Sequence, residues 1–203
     1  MFCAGFSLYL FLLLSSFRYR YGGDDAKNSE SVEAYIVQRY ISNPFLIGGK
    51  KFDLRVYVLV TSFSPLTVWF HRSGFSRFSH TRYSADPADI ANTFVHLTNV
   101  AIQKTAENYD ARSGGKMDLR HLKLYLIAQF GREMVDELFW RIQMLVLRSL
   151  FAVQQVMIND QHCFELYGYD IMIDDALKPW LIEVNASPSL SANTAEDYTL
   201  KTG

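Results

Sequence analysis

Apolar and polar positions alternate most sharply between Phe52 and Thr61, FDLRVYVLVT, where Leu54, Val56 and Val58 fall on one side of an extended chain and Asp53, Arg55 and Tyr57 on the other. This predicts a long strand with one core face and one charged face. Leu66 to His71 predicts a second strand after the Ser64-Pro65 turn, and Gly74 to Phe78 a further short one bearing Arg77. Upstream, Tyr35 to Ile41 (YIVQRYI) has strand composition and is stopped by Asn43-Pro44, which leaves Phe45 to Lys51 as a loop tipped by Gly48-Gly49.

Beyond Tyr83 the pattern changes. Tyr83 to Asn92 reads as a loop with one helical turn, and the apolar run Phe94 to Lys104 (FVHLTNVAIQK) as a buried turn capped by its own Thr and Asn side chains. Thr105 to Lys116 is polar and predicts a surface loop. Asp118 is placed to cap a helix running to Phe130 through Leu119, Leu122 and Leu126. A longer helix is predicted from Glu133 to Ile158, with Leu138, Ile142, Leu145, Ser149 and Val153 near one stripe. Tyr167 to Ile173 and Trp180 to Asn185 then predict a hairpin around the turn DDALK. Strands, two helices and a closing hairpin make an α+β fold, a mainly antiparallel sheet with helices on one side.

Composition narrows the picture modestly. The 203 residues are 49% hydrophobic, enough for a real core, and the net charge of -1 offers nucleic acid no global attraction. Between Ser31 and Tyr83, however, seven Lys and Arg face only Glu33 and Asp53, a surplus suited to an anionic ligand or to a solvated face. Two cysteines, Cys3 and Cys163, argue against a disulfide framework. Met1 to Leu14 is an apolar run open to three readings: a signal or anchor, a buried element, or an altered first exon on a cytosolic protein. The polar linker Tyr21 to Ser31 favours the third, so residues 1–31 are set apart from a domain over 32–203.

The densest chemistry lies in YGYDIMIDDALKPWLIEVNASPSL, Tyr167 to Leu190. Folding this hairpin about the Ala176/Leu177 midpoint sets Asp170 opposite Glu183, with Asn185 on the same face. Facing carboxylates repel, so such a pair calls for a cation, and an all-oxygen set suits Mg²⁺ shared with nucleotide phosphates. Lys51, Arg55 and Arg77 are the cations available to neutralise phosphate, and Asp53, two residues from Arg55 on one face, is expected to hold it.

These residues carry a resemblance. QRYI (Gln38 to Ile41), GGKKFDLRVYVLV (Gly48 to Val60), FVHLTNVAIQK, HCFELYGYDI (His162 to Ile171) and KPWLIEVNASPSL (Lys178 to Leu190) resemble, in order and spacing, the C-terminal part of the tubulin tyrosine ligase-like family, in its glutamylase branch of the ciliary and flagellar polyglutamylase type. The resemblance implies a partial ATP-grasp fold and an ATP-dependent amino-acid ligase that joins free L-glutamate to the acidic tails of tubulin by isopeptide bonds. It further implies that Asp170, Glu183 and Asn185 ligate magnesium, and that Gln38, Arg39, Tyr40, Ile41, Lys51, Asp53, Thr98 and Asn99 bind ATP. Arg55 and His96 lie in the active-site motifs, and Arg77, Lys116 and Lys201 would hold glutamate. A cytoplasmic, cytoskeletal setting at cilium, basal body or flagellar axoneme follows, with accessory subunits as further candidate partners.

The family also uses an upstream half with a lysine and a glycine-rich loop, whereas here only Met1 to Val32 precede the hinge segment. The expectation is a truncated isoform or incomplete gene model of a polyglutamylase. A non-catalytic remnant that binds microtubules or partners is the alternative.

Overall fold

A computed structural model describes residues 38–106, 115–157, 160, 162–189 and 198. The chain divides into two units, Met1–Ser42 and Asn43–Gly203. In the first, the described residues Gln38 to Ile41 adopt no strand, contrary to the expectation for Tyr35 to Ile41, whose first three residues lie outside those described. β-branched and aromatic composition favours an extended chain but forms a strand only where a neighbouring backbone completes the ladder.

The second unit is built on an antiparallel sheet. Its strands are β1 (Leu46–Ile47), β2 (Lys50–Phe63), β3 (Leu66–Phe78), β4 (Lys116–Asp118), β5 (Glu165–Ile173) and β6 (Pro179–Ala186), in the order β4-β3-β2-β5-β6 with β1 paired to β2. The predicted Phe45 to Lys51 loop is a tight hairpin. Gly48 and Gly49 both take positive φ, 60° and 74°, which a two-residue turn matching the strand twist requires. The two strands expected at Leu66 to His71 and Gly74 to Phe78 are one. Between the pairs Val56↔Gly74 and Val58↔Phe70 the residues His71 to Ser73 bulge out of the ladder without ending it. Gly74 is needed there, since a Cβ would lie 2.6 Å from the Arg55 carbonyl oxygen.

Alternation along β2 sends Phe52, Leu54, Val56, Val58 and Val60 into the core, against two long helices. Helix α3 (Leu119–Phe130) follows the short single-turn helices α1 (Thr93–His96) and α2 (Val100–Gln103), and α4 (Arg132–Val153) follows α3 across Gly131. Asp118 caps α3 as expected, accepting from the His121 amide. Gly131, at φ 81°, lets the chain turn in a single residue. Helix α4 starts one residue earlier and ends earlier than predicted, and its buried stripe is Val135, Leu138, Ile142, Val146 and Leu150. Leu145 is only half-buried and Val153 is exposed, because the helix crosses the sheet rotated from the face that its apolar count suggested. Each fully buried aliphatic side chain contributes roughly 1.5–3 kcal/mol, so this seam between sheet and helices is the main stabiliser of the unit.

The predicted loop Thr105 to Lys116 lies mostly at 107–114, outside the described residues, but its last residue opens β4 and is half-buried. Among the described residues no helix is long and apolar enough to cross a membrane.

Candidate active site

The face of the sheet turned away from the long helices carries the charged residues of β2, and antiparallel pairing fixes what each one meets. One row runs Lys116, Arg77, Asp53 across β4, β3 and β2. The next runs Asp118, Phe75, Arg55, Asp170, Glu183 from β4 to β6. Partners directly opposite stand ~5 Å apart, whereas same-face neighbours two residues along one strand stand ~7 Å apart. Arg55 therefore pairs with Asp170 (Nε to Oδ1 2.5 Å, Nη2 to Oδ2 3.0 Å) and not with Asp53 as its spacing had suggested. Asp53 is held by Arg77 instead, through Nε at 2.8 Å and Nη2 at 2.6 Å. Nη2 of Arg77 also reaches Asp170 Oδ2 at 2.8 Å, so one carboxylate receives two guanidinium groups.

The predicted pair of Asp170 and Glu183 is present, by a route the sequence did not suggest. Near the turn the register is Ile171↔Leu181 and Ile173↔Pro179, centred on Ala176, which on its own would set Ile182 opposite Asp170. A bulge at Ile182 adds the missing residue and brings Glu183 there. The turn itself is held by Asp174, a buried carboxylate that accepts from the amides of Ala176 and Lys178 at 3.0 and 2.9 Å and from Trp180 Nε1 at 2.8 Å. Asn185 completes the cluster, its Nδ2 donating to the Gly168 carbonyl (3.2 Å), Asp170 Oδ2 (3.4 Å) and Glu183 Oε1 (3.2 Å). Gly168 leaves room for this arrangement: a Cβ there would meet Pro188 Cβ at 2.9 Å and Arg55 Cδ at 3.2 Å.

Electrostatics divide the two acids. Burial pushes the Asp170 carboxyl up, but the Arg55 hydrogen bond, the Arg77 charge and the Glu183 hydrogen bond outweigh it and hold it below the usual range. Glu183 goes the other way. Burial and its hydrogen bond to Asp170 raise it, against the opposing pull of Asn185 and Arg77. For Arg77, burial lowers the pKa, but its bonds and charge contacts with Asp53 and Asp170 more than compensate, so it stays protonated.

A second group of side chains lies beside this row. Thr98 Oγ1 donates to Asp53 Oδ2 at 2.8 Å, so its hydroxyl serves the charged row and not the cap of its own turn; α1 is capped by Asn92. Asn99 is exposed, and its carbonyl accepts the first amide bonds of α2. Buried Lys51 donates to the His96 carbonyl at 2.8 Å, and burial lowers its amine to about 8 against the attraction of Asp53. The His96 imidazole is buried over Tyr83 and bonds the Asp89 carbonyl at 3.0 Å. Burial chiefly, with the Lys51 charge, lowers its pKa despite Asp89. Lys116 Nζ lies 4.8 Å above the Phe75 ring. Gln38 to Ile41 belong to the other unit, and Lys201 lies outside the described residues.

One contributor was not singled out from the sequence. Gln103, only 4% exposed, accepts from the His80 amide at 2.7 Å and donates to the Leu97 carbonyl at 2.5 Å, tying the segment just after β3 to the residue before Thr98. Its signal is a second amide, after Asn99, in the run FVHLTNVAIQK. A Gln within an otherwise buried turn must be paired on both sides.

Among the described residues no group of three or more His, Cys, Asp and Glu forms a metal centre. The donor set present, two acids and an amide, nonetheless matches a hard cation that keeps part of its water shell.

The chain is 56% identical over 179 residues, 88% of its length, to a Bos taurus protein named probable tubulin polyglutamylase TTLL9. It is 53% identical over 177 residues to the Caenorhabditis elegans probable tubulin polyglutamylase ttll-9, covering 87% of the chain. A Tetrahymena thermophila probable alpha-tubulin polyglutamylase Ttll1 is 52% identical over 170 residues, 84% of the chain. The chain spans 38%, 42% and 41% of the lengths of these three relatives, respectively. A family model described as the tubulin-tyrosine ligase family matches residues 21–203, and the chain belongs to that family.

Proposed function

We propose that residues 32–203 supply the metal floor and amino-acid subsite of an ATP-dependent ligase that adds glutamate to tubulin tails through isopeptide bonds. The observation that carries this reading is the row Arg55, Asp170, Glu183, with Asn185 beside it and Asp53, Thr98 and Lys51 flanking it on one sheet face. Asp170, Glu183 and the Asn185 amide would hold magnesium, whose contribution when bound is to neutralise and orient phosphate oxygens. The raised Glu183 carboxyl supports this: burial and then its hydrogen bond to Asp170 disfavour its charged form, and a cation between the facing acids would favour it.

The chain's own residues would do the rest. Lys51, with its amine near neutral pH, supplies a positive charge to a nucleotide phosphate, while Thr98 and Asp53 set its neighbours in place. Gln38 to Ile41 and Asn99 are the further nucleotide contacts carried by the resemblance. Arg77 is anchored through Nε and Nη2, which leaves its Nη1 edge toward a glutamate carboxylate, with Lys116 next in its row and Lys201 as the outlying candidate. Arg55 locks Asp170 as an ionised ligand, and His96 supports Lys51 through its carbonyl. The relatives' names support tubulin as the acceptor; a cytoplasmic and cytoskeletal setting that includes cilia and flagella, and accessory subunits, are further parts of this reading carried by the resemblance.

The test is calorimetric titration of the chain with ATP in the presence and absence of magnesium, followed by labelled-glutamate incorporation into tubulin. Magnesium should raise nucleotide affinity in the wild-type chain and not in Glu183→Gln. Magnesium-independent nucleotide affinity in the wild-type chain, or incorporation that Glu183→Gln leaves intact, would overturn the reading.

A further inference from the structure

A cavity of about 890 Å³ opens on the helix-covered side of the sheet, away from Asp170 and Glu183. Its floor is apolar, with Phe70, Leu119, Ile127 and Phe139 among its lining residues. Its polar edge has one sign: Arg72, Arg120, Lys123 and Arg132 line it, and no Asp or Glu does among the described residues. Asp136 is paired with Lys123 at 2.9 Å, and Lys123 also covers the Phe139 ring at 5.0 Å. The β3 bulge at His71 to Ser73 supplies one wall, and exposed Leu124 stands on another.

An apolar floor inside a cationic edge selects a ligand with the opposite arrangement. A lipid surface is flat and would leave the floor unfilled, whereas an extended peptide can insert one side chain while its carboxylates meet the arginines. We propose that this groove docks an acidic peptide that seats one bulky apolar side chain on Phe70, Leu119 and Phe139. The site is separate from the ligase face, so it stands or falls independently of that reading.

The probe is a fluorescein-labelled, glutamate-rich dodecapeptide with one central Phe, titrated into the full chain by anisotropy at low and moderate salt. The variant is Arg120→Glu/Arg132→Glu. Both positions lie in first turns of helices, where acids are favoured, so the fold should be kept, as circular dichroism will check. Affinity should fall at least ~10-fold in the variant, at least ~10-fold when Phe is replaced by Ala, and with rising salt. It should be unchanged in Arg148→Glu, an exposed site outside the groove. Equal weakening by Arg148→Glu, or indifference to the Phe, would overturn the proposal. So would an inert peptide combined with self-association that Arg120→Glu/Arg132→Glu removes, which would assign the groove to a second copy of the chain.

Discussion

Arg55 and Asp170 meet directly across the β2–β5 pair, in a two-pronged contact with Nε 2.5 Å from Oδ1 and Nη2 3.0 Å from Oδ2, and both side chains are largely buried. Removing one partner of a buried pair strands the other. Arg55→Met is expected to cost about 3 kcal/mol in urea unfolding, the lower end of the usual range because Arg77 still reaches Asp170. Arg55→Met/Asp170→Leu should recover part of that loss; a strictly additive double mutant would show that the two do not act together.

Glu183→Gln should trade function for stability. Opposite Asp170 the uncharged amide removes a like-charge contact, so without metal the variant should match or exceed the wild-type unfolding midpoint, by up to ~1 kcal/mol. Magnesium should shift the wild-type midpoint in the presence of ATP and leave the variant where it is. A variant that responds to magnesium like the wild type would remove Glu183 from the donor set.

Lys51 sets a pH dependence whose sign follows from burial. Its amine falls from 10.5 to about 8 in the folded chain, so between those values the unfolded chain binds more protons and stability rises with pH. The cost of burying the charged amine is fully present below about pH 8 and gone above about 10.5. It amounts to at most ~3 kcal/mol. Urea unfolding between pH 7.5 and 10.5 should show this rise relative to Lys51→Met. Nucleotide affinity should fall over the alkaline side of the same window, as the amine loses its charge. Parallel stability profiles for the two chains would refute the assignment.

Gln103→Leu should leave the His80 amide and the Leu97 carbonyl without their partner. A loss of about 2 kcal/mol is expected, with faster hydrogen exchange at the His80 amide. Gln103→Glu, which keeps the acceptor for His80 but not the donor to Leu97, should protect that amide better than Leu does. Equal exchange in all three chains would mean that Gln103 holds nothing in place.

Local chemistry was legible and long-range register was not. Period-two alternation in FDLRVYVLVT identified the two faces of β2, and Asp118 announced the start of α3, because each depends on residues within one turn or one strand. The partners of Arg55 and Asp53 were misread because they depend on which residues of β3 and β5 lie opposite. That register includes bulges at His71 to Ser73 and at Ile182 that no local pattern marks. Asp174 looked like one of two turn acids in DDALK, and only the fold shows it bound by two amides and an indole. The stripe of α4 was displaced for a similar reason: several apolar faces were available, and packing against the sheet chose among them.

The extra residue at Ile182 gives the closing hairpin slack. The turn follows one register and the acids another, so the two ends of the hairpin are geometrically uncoupled. In an unbulged hairpin, losing or gaining a single turn residue would invert every side chain of β6 and send Glu183 to the opposite face. Here closing or shifting the bulge can absorb a one-residue change in the turn, so such a change would disturb the bonds of Asp174 while Glu183 keeps its place beside Asp170.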